Sequence, residues 1–409
     1  MPSTDSLTRR SLLAGTLLPL CATDEALPPV RPITRGPRFH WFGYYDKLQF
    51  DPSSRYALGM EVEFEHRSPR ADDEIRVGMI DVEDGDRWTE IGRSKAWCWQ
   101  QGCMLQWLPG SKTGVIYNDR EDGQFVSRVL NVKTGKSRRL PGAIYAVSPD
   151  GEWAVTPDFS RLADTRPGYG YAGVPDPNKD IAAPEKTGIW RMNLKTGKRE
   201  MILSLAQVAA VPYREGKPNA TRHWLNHLLF STDGKRFLFL HRWSTAGKSG
   251  FSTRMFSARP DGTDLYVLDP HGQTSHFIWR DPRHVMAWAF HPSHGNKFYL
   301  YEDKTENVQV MAPEVMIVNG HNTYLPGNRW VLNDTYPDKN RMQHPYLYDT
   351  RTNRRAALGH FLSPPEYIGE WRCDNHPRFS PNGRLVTIDS PHGGNGRQIY
   401  LIDIKGIAG

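Results

Sequence analysis

The sequence is poor in cysteine and has no long apolar run beyond its N-terminus. Of its four cysteines, Cys21 belongs to an N-terminal segment treated below. The remaining Cys98, Cys103 and Cys373 are an odd number and give no disulfide framework. We therefore expect buried free thiols, with a Cys98–Cys103 bridge as the alternative. No stretch beyond residue 24 is long and apolar enough to cross a bilayer, so we expect no membrane insertion.

The sequence also lacks a lysine- and arginine-rich block interleaved with aromatic residues, the usual footprint of a nucleic-acid-binding surface. We expect no nucleic-acid partner. The formal net charge is nevertheless +7, and this sign favours an anionic partner such as an acidic polysaccharide. An ordinary solvated surface is the alternative explanation of the same charge.

The N-terminal segment resembles a twin-arginine export signal. Residues 8–22 read TRRSLLAGTLLPLCA, in which Arg9 and Arg10 precede an apolar run too short for a stable membrane anchor. We assign residues 1–24 to the signal peptide. The mature protein is therefore expected to be periplasmic or secreted.

Turn-forming and aromatic residues are abundant. The chain has 36 glycines, 31 prolines, 13 tryptophans and 17 tyrosines, a composition typical of a turn-rich all-β protein. One phrase, which consists of an apolar strand, a tight turn and a second apolar strand, recurs along the chain. Its seven instances are 48–60, 105–119, 145–156, 228–240, 277–289, 323–334 and 377–389.

Each instance except the last is followed by a second pair of apolar runs, so that one unit contains four short strands. This pattern is typical of a propeller blade, and seven units predict a seven-bladed β-propeller over residues 28–409. The last unit lacks its outer strand. We expect the segment at about 28–38 to supply it and close the ring, which removes a free sheet edge. Residues 159–187 form a long insertion in blade three, and such loops are often functional.

Histidines recur at one position of the repeat, three residues before the large apolar residue that precedes each turn. In order of blades, this position is occupied by Lys47, Met104, Ile144, His227, His276, His321 and His376. Equivalent positions on inner strands lie at one height around the propeller axis, so we expect the four imidazoles to converge. Imidazole is a common ligand of manganese, zinc, iron and nickel. The two-residue period of a strand places Asp374 on the same face as His376.

Other polar side chains could complete a pocket around these histidines. They are Tyr45 and Lys47 on the first inner strand, Arg242 and Arg254 in the blade of His227, and Arg166, Tyr169 and Tyr171 on the inserted loop. Surface salt bridging is the alternative explanation for each arginine.

The stretch from Asn226 to Trp279 resembles the oligogalacturonate lyases, seven-bladed propellers that degrade pectin. The shared features are His227 before a strand–turn–strand, His241 at its end, Arg254-Met255-Phe256, Ser275-His276 before an aromatic residue, and HPRFSP at 376–381. The resemblance implies a divalent cation, with manganese first, held by His276 and His376, and a histidine as general base. The chain departs from the family at Asp374, where the family has a histidine, and at Trp371, near the position of its glutamine ligand. Propeller lyases that act on ulvan share the same ring.

These features predict an exported lyase that cleaves a uronate-containing glycan by β-elimination. The reaction requires neutralisation of the uronate carboxylate and stabilisation of an enolate-like intermediate. A metal on His276, His321 and His376, with Asp374 as a further ligand, would serve as the Lewis acid. Manganese is expected, with zinc or calcium as alternatives.

The remaining roles follow from the same chemistry. We expect His227, or alternatively Lys47, to take the proton. Arg242 or Arg254 would share the carboxylate charge, and Tyr45 or a tyrosine of the 166–173 loop would protonate the leaving oxygen. Substrate contacts are expected from Arg166, Tyr169, Tyr171 and His241.

Two other classes of function remain open from the sequence. One is a non-catalytic periplasmic propeller that binds a glycan or a protein and holds a structural metal. The other is a metal-dependent hydrolase or oxidoreductase that uses the same ring of histidines.

Overall fold

The computed structural model describes residues 27–214 and 216–408. Within them the strands form seven four-stranded antiparallel sheets and one additional two-stranded sheet. The first seven are the blades of a seven-bladed β-propeller, as the sequence predicted. The predicted signal peptide lies outside the described residues.

The N-terminal half of the chain contains a closing strand and the first three blades. The closing strand is β1 (Val30–Pro32). Blade one is β2 (Phe39–Trp41), β3 (Tyr56–Val62), β4 (Ile75–Asp81) and β5 (Arg87–Ser94). Blade two is β6 (Gln106–Trp107), β7 (Gly114–Glu121), β8 (Gln124–Asn131) and β9 (Ser137–Leu140). Blade three is β10 (Ala146–Val147), β11 (Trp153–Thr156), helix α1 (Phe159–Thr165), β12 (Gly188–Asn193) and β13 (Arg199–Ser204), and helix α2 (Leu205–Ala210) follows.

The C-terminal half contains the four blades that carry the histidine column. Blade four is β14 (Ala220–Phe230), β15 (Phe237–Thr245), β16 (Ser252–Ala258) and β17 (Tyr266–Gly272). Blade five is β18 (Phe277–Trp279), β19 (His284–His291), β20 (Gly295–Glu302) and β21 (Val308–Val310). Blade six is β22 (Thr323–Tyr324), β23 (Trp330–Asn333), β25 (Tyr346–Asp349) and β26 (Arg354–Ala357), with β24 (Met342–Gln343) and β27 (Phe361–Leu362) paired separately. Blade seven is β28 (Arg378–Phe379), β29 (Leu385–Ser390) and β30 (Gln398–Asp403), between a 3-10 helix (Gly369–Trp371) and helix α3 (Lys405–Ala408).

The ring is closed by the N-terminal strand. Strand β1 pairs antiparallel with β30, with Val30 opposite Ile402 and Pro32 opposite Tyr400. Blade seven therefore has four strands, of which the outermost comes from the other end of the chain. This confirms the predicted closure, which leaves β30 without a free edge.

The turns of three inner hairpins are stabilised by the same hydrogen bond. In blades three, four and seven the turn begins with a serine whose hydroxyl accepts a hydrogen bond from the backbone amide five residues later, at 3.0 Å in each case. Three residues after each serine, a glycine adopts a φ between 68° and 73°, a left-handed conformation that glycine reaches without steric cost. The serines are Ser148, Ser231 and Ser380.

The innermost strand of blade one differs from the others. The sequence placed it around Phe50, but β3 pairs first with β2 at Phe39–Trp41, and Phe50 forms only an isolated bridge with Ala57. Residues 42–49 leave the sheet between these two pairings. This excursion, which we call the Tyr44–Tyr45 loop, brings two tyrosines against the histidine column.

The inserted segment at 159–187 is ordered by one arginine. It opens with α1, which Asp158 caps by accepting hydrogen bonds from the amides of Ser160 and Arg161. The buried Arg161 guanidinium then donates to Asp176 at 3.0 Å and to four backbone carbonyls. The insertion follows the second strand of its blade, and therefore lies at the end of the ring where the innermost strands begin.

The described part of the chain has three cysteines, and their pairing was left open by the sequence. Cys98, Cys103 and Cys373 are all free and buried, so the alternative of a disulfide bridge is wrong. No helix between residues 27 and 408, residue 215 aside, has the length and apolar character needed to span a bilayer.

Candidate metal centre and active site

The four histidines of the column converge, as the repeat predicted. The ring centroids of His276 and His321 are 4.1 Å apart, and those of His321 and His376 are 4.2 Å apart. His227 lies further along the ring, 6.4 Å from His276. All four side chains are buried. Residues separated by more than a hundred positions in the chain thus form one cluster.

Two of these histidines have an unusual backbone. His227 and His376 adopt φ angles of 52° and 41°, and Met104, at the same position in blade two, has a φ of 54°. A left-handed backbone at a non-glycine residue is unfavourable and is often retained at functional sites. His227 lies near the end of β14, where the pairing register shifts between Asn226 and Leu229, and His376 precedes β28.

Three side chains form a group that could hold a metal ion. The potential ligand atoms of His321, Asp374 and His376 all lie within 4.8 Å of one another. The Nε2 atoms of both histidines are buried and lack a hydrogen-bond partner among the described residues. Buried polar atoms without partners are costly, and two imidazole nitrogens with a carboxylate are a donor set suited to a divalent transition metal. These residues therefore fit a metal.

Asp334, at the end of β23, holds two of these histidines in place and was not recognised from the sequence. Its carboxylate accepts hydrogen bonds from Nδ1 of His321 at 2.9 Å, from the backbone amide of His321 at 2.7 Å and from the amide of His376 at 3.1 Å. The Nδ1 proton of His321 is thereby fixed, which leaves the Nε2 lone pair free for a metal. Burial lowers the pKa of His321 to about 3, so the ring is neutral.

His276 lies beside this group rather than in it. Its Nδ1 is 3.1 Å from the Asn319 side-chain oxygen, and its Nε2 faces the Tyr336 hydroxyl at 3.5 Å. The group of three therefore contains three of the four predicted ligands, and His276 as a fourth ligand stays a prediction. Tyr336 comes from the loop after β23, and no repeat pattern marks it in the sequence.

Asp374 also has a cationic partner. The Arg372 Nε donates to Asp374 at 2.8 Å, and Nη2 of the same guanidinium donates to the Tyr169 hydroxyl at 2.8 Å. Tyr169 belongs to the inserted loop, so Arg372 links the insertion of blade three to the candidate metal group of blade seven. The sequence prediction for Tyr169 is compatible with this place at the site.

His227 is surrounded by phenols. Its Nδ1 lies 2.7 Å from the Tyr44 hydroxyl and 3.1 Å from the Tyr145 hydroxyl, and the Tyr44 ring stacks on it. Burial, followed by the charge of Arg242, lowers the pKa of His227 well below its ordinary value. The imidazole is therefore neutral at physiological pH and able to accept a proton.

Arg242 and Arg166 lie in the surroundings of His227, as expected, since their charges both lower the pKa of this histidine. Arg254, the other arginine predicted for the site, has its partners elsewhere. Arg254 is buried in blade four, where its guanidinium donates to the carbonyls of Val211 and Pro212 and to Nδ1 of His241. Its place as a catalytic residue is a wrong prediction, because these bonds fix it within the blade.

His241 is likewise misplaced as a substrate contact. It is 0% exposed, and its Nε2 lies 2.9 Å from Nδ1 of His223. Tyr171 is also 0% exposed, accepts a hydrogen bond from the Asn118 amide and stacks on Phe159. Both side chains have partners inside the protein and no exposed surface, so the structure contradicts their assignment as substrate contacts.

Lys47 and Tyr45 have structural partners. The Lys47 ammonium donates to Asp46 at 3.0 Å and lies 4.8 Å from the centroid of the Tyr145 ring. The Tyr45 hydroxyl donates to the Phe277 carbonyl at 2.8 Å. An ammonium paired with a carboxylate is a poor base, and a phenol proton engaged by a carbonyl is a poor acid. The geometry therefore disfavours both alternatives.

The similarity of this chain to known proteins lies in its fold. No protein-family model matches the sequence, and no curated protein matches it. The structure is similar to an oligogalacturonate lyase from Vibrio parahaemolyticus, with a TM-score of 0.65 and 13% identity over 95% of this chain and 96% of that one. It is equally similar to an oligogalacturonate lyase in complex with manganese, with a TM-score of 0.65 and 15% identity over 92% and 93% of the two chains. The propeller domain of the Trilobed protease from Pyrococcus furiosus gives a TM-score of 0.51 and 10% identity over 89% and 94%. The chain thus shares the seven-bladed fold of the oligogalacturonate lyases, in line with the resemblance seen in its sequence.

Proposed function

We propose that this protein is an exported, metal-dependent polysaccharide lyase that cleaves an acidic glycan by β-elimination. The observation that carries the proposal is the group formed by His321, Asp374 and His376, which lies in one ring with the neutral imidazole of His227. A lyase acting on uronates needs both an electrophile for the carboxylate and a base for the neighbouring proton. The fold shared with oligogalacturonate lyases supports the same class.

The histidine and aspartate side chains are proposed to hold the ion, and manganese is the proposed metal. One of the similar structures is described as a manganese complex, and zinc or calcium are the alternatives. When bound, the ion would supply Lewis-acid stabilisation of the uronate carboxylate as negative charge develops on it. Asp334 keeps His321 in the tautomer that this binding requires.

His227 is proposed to take the C5 proton of the uronate. Its ring is held by the Tyr44 and Tyr145 hydroxyls, so the imidazole is oriented before the substrate arrives. A base positioned in this way contributes about 10²–10⁴-fold to a rate. The proton moves from carbon to the imidazole, and the bond between C4 and the leaving oxygen breaks as the double bond forms.

Tyr169 is proposed to protonate the leaving oxygen. Its hydroxyl accepts a hydrogen bond from Arg372 at 2.8 Å, which leaves its own proton free to be donated. The guanidinium also stabilises the phenolate that remains after the transfer. In the same proposal the N-terminal residues direct export, so that the enzyme meets its substrate in the periplasm or outside the cell.

The test is a panel of glycans incubated with the metal-loaded protein. We expect pectate, ulvan or alginate to yield unsaturated products that absorb in the ultraviolet, and a neutral glucan to yield none. His376→Ala should abolish the product, whereas His294→Ala, a change of an exposed histidine in blade five, should leave it unchanged. Hydrolysis to saturated products, or turnover that survives His376→Ala, would reject the lyase.

A non-catalytic glycan-binding propeller is the second candidate. It is favoured by the burial of the candidate ligands, since His321 and His376 are 1% and 3% exposed, and a fully enclosed ion serves structure rather than chemistry. In that case the ion would raise the melting temperature without any of the glycans being cleaved.

A further inference from the structure

Two arginines flank one exposed aromatic ring near the candidate site. Arg166 comes from the insertion in blade three and Arg242 from β15 in blade four. Their guanidinium carbons lie 4.9 Å and 4.7 Å from the centroid of the Phe251 ring. Phe251 is 38% exposed, although most large aromatic side chains of the protein are buried. We call this trio the Arg166–Phe251–Arg242 clamp.

Neither guanidinium of the clamp is neutralised. Within residues 27–214 and 216–408, no hydrogen bond or ion pair is formed by either one, and the Nε atoms of both are buried. Three other buried arginines have carboxylate partners, namely Arg161 with Asp176, Arg378 with Asp389 and Arg397 with Glu65, whereas the buried Arg254 donates to backbone carbonyls instead. A buried cation without a partner is costly, and this applies to Arg242, which is 4% exposed, while Arg166 is only partly buried.

Among the described residues, no carboxylate is one of the groups that influence Arg242 most strongly. Burial, and then the charge of Arg166, lower the pKa of Arg242 to about 10, so it stays protonated at neutral pH. The other groups that act on its charge are the phenols of Tyr169, Tyr44 and Tyr145. The clamp is therefore a preformed positive site with no carboxylate partner among the described residues.

We propose that the Arg166–Phe251–Arg242 clamp is a carboxylate subsite, separate from the metal group, that holds one uronate ring of the glycan. A guanidinium presents donors in a planar fork that matches a carboxylate. The apolar face of a sugar ring would lie on the exposed face of Phe251. The clamp would therefore bind both the charged and the apolar part of a uronate. The inference deepens the proposed function, because it assigns the acidic group of the substrate to named side chains.

Binding without turnover tests the clamp. The full-length protein in the His376→Ala background, stripped of metal with a chelator, would be titrated with trigalacturonate, with the corresponding neutral galactose trisaccharide and with inorganic sulfate. We expect calorimetric binding of trigalacturonate alone. Arg166→Gln, Arg242→Met and Phe251→Ala should each weaken it at least about tenfold, the scale of one lost charge-assisted hydrogen bond. Arg191→Met, which removes a guanidinium paired with Glu200 on the outer side of blade three, should not.

Thermal unfolding of the ligand-free protein gives an independent readout. Because no described carboxylate pairs with Arg242, Arg242→Met should raise the melting temperature or leave it unchanged while binding is lost. A lowered melting temperature in Arg242→Met, or unchanged trigalacturonate affinity in the three variants, would overturn the proposal. Sulfate binding equal to that of trigalacturonate would also overturn it in favour of a sulfate-ester site. If no glycan is cleaved but uronate binding depends on the clamp, the lyase proposal falls and the clamp stands.

Discussion

The carboxylate of Asp334 accepts a hydrogen bond from Nδ1 of His321 at 2.9 Å, and both groups are almost completely buried. The same carboxylate accepts the amide of His376. One side chain of blade six thereby sets the tautomer of one candidate ligand and the backbone position of another. The binding capacity of the ring depends on this pair as much as on the imidazoles themselves.

Asp334→Asn is expected to weaken metal binding about 10–100-fold, because outer carboxylates of this kind fix ligand orientation and basicity. The affinity would be measured by calorimetric titration with Mn²⁺. Asp338→Asn is the matched control, since Asp338 lies four residues away and is exposed. Equal affinity of Asp334→Asn and the unaltered protein would show that the carboxylate does not support the site.

Alanine substitutions should separate the histidines of the column. His321→Ala and His376→Ala are expected to lose the metal, since each removes a member of the group of three. His276→Ala should retain it, because its Nε2 faces Tyr336 instead. Metal content by mass spectrometry of the purified variants checks this. Loss of metal from His276→Ala would restore the ligand set predicted from the sequence.

The titration of His321 should lower the stability of the metal-free protein on acidification, whereas Asp334, whose pKa burial raises to about 7, acts in the opposite direction. The pKa of His321 is lowered from 6.5 to about 3 by burial, so the unfolded chain binds more protons than the folded one between these values. The contribution to the free energy of unfolding, at most a few kcal/mol, is complete above about pH 6.5 and is lost as the pH falls toward 3. Relative to the unaltered protein, His321→Gln should lose less melting temperature between pH 6.5 and 3, because it has no imidazole to titrate. A parallel decline in both proteins would contradict the assignment.

Tyr44→Phe is expected to lower kcat by up to about tenfold while KM changes little. The substitution removes the 2.7 Å hydrogen bond to His227, and a hydrogen bond of this kind contributes about 0.5–1.5 kcal/mol. The acidic limb of the pH–rate profile should shift as well, because the hydroxyl influences the proton affinity of the imidazole. Tyr56→Phe, on β3 in blade one, is the control, and identical profiles for the two variants would exclude a positioning role for Tyr44.

Gly43→Ala tests the Tyr44–Tyr45 loop. Gly43 has a φ of 97°, and an added Cβ would lie 2.9 Å from the backbone carbon of Gln101. We expect destabilisation of about 1–3 kcal/mol, with a larger loss of activity than stability alone explains, because the loop carries Tyr44 to His227. Denaturant unfolding and turnover of the same samples would measure both effects. Gly85→Ala, where φ is 63° and no atom lies within 4 Å of the added Cβ, controls for backbone strain alone.

The sequence was informative where the repeat constrains it. Each blade has the same strand–turn–strand spacing, so a histidine at one position of the repeat has to lie at one height in the ring, as His276, His321 and His376 do. The closing strand was predictable for the same reason, since the last unit had one strand too few. Position within the repeat does not show, however, whether a side chain is held by partners inside its own blade. His241 and Arg254 were therefore assigned to the site, although their partners lie inside blade four.

The sequence by itself determined the seven blades and the convergence of four imidazoles, because periodic strand spacing fixes which residues line the axis. The tertiary structure decided which imidazoles have free nitrogens, through Asp334 and Tyr336. It also decided which arginines meet near the site, since Arg166 and Arg242 both lie on Phe251. These relations join loops and strands that are far apart in the chain. They depend on distances between blades, and no local pattern in the sequence encodes such distances.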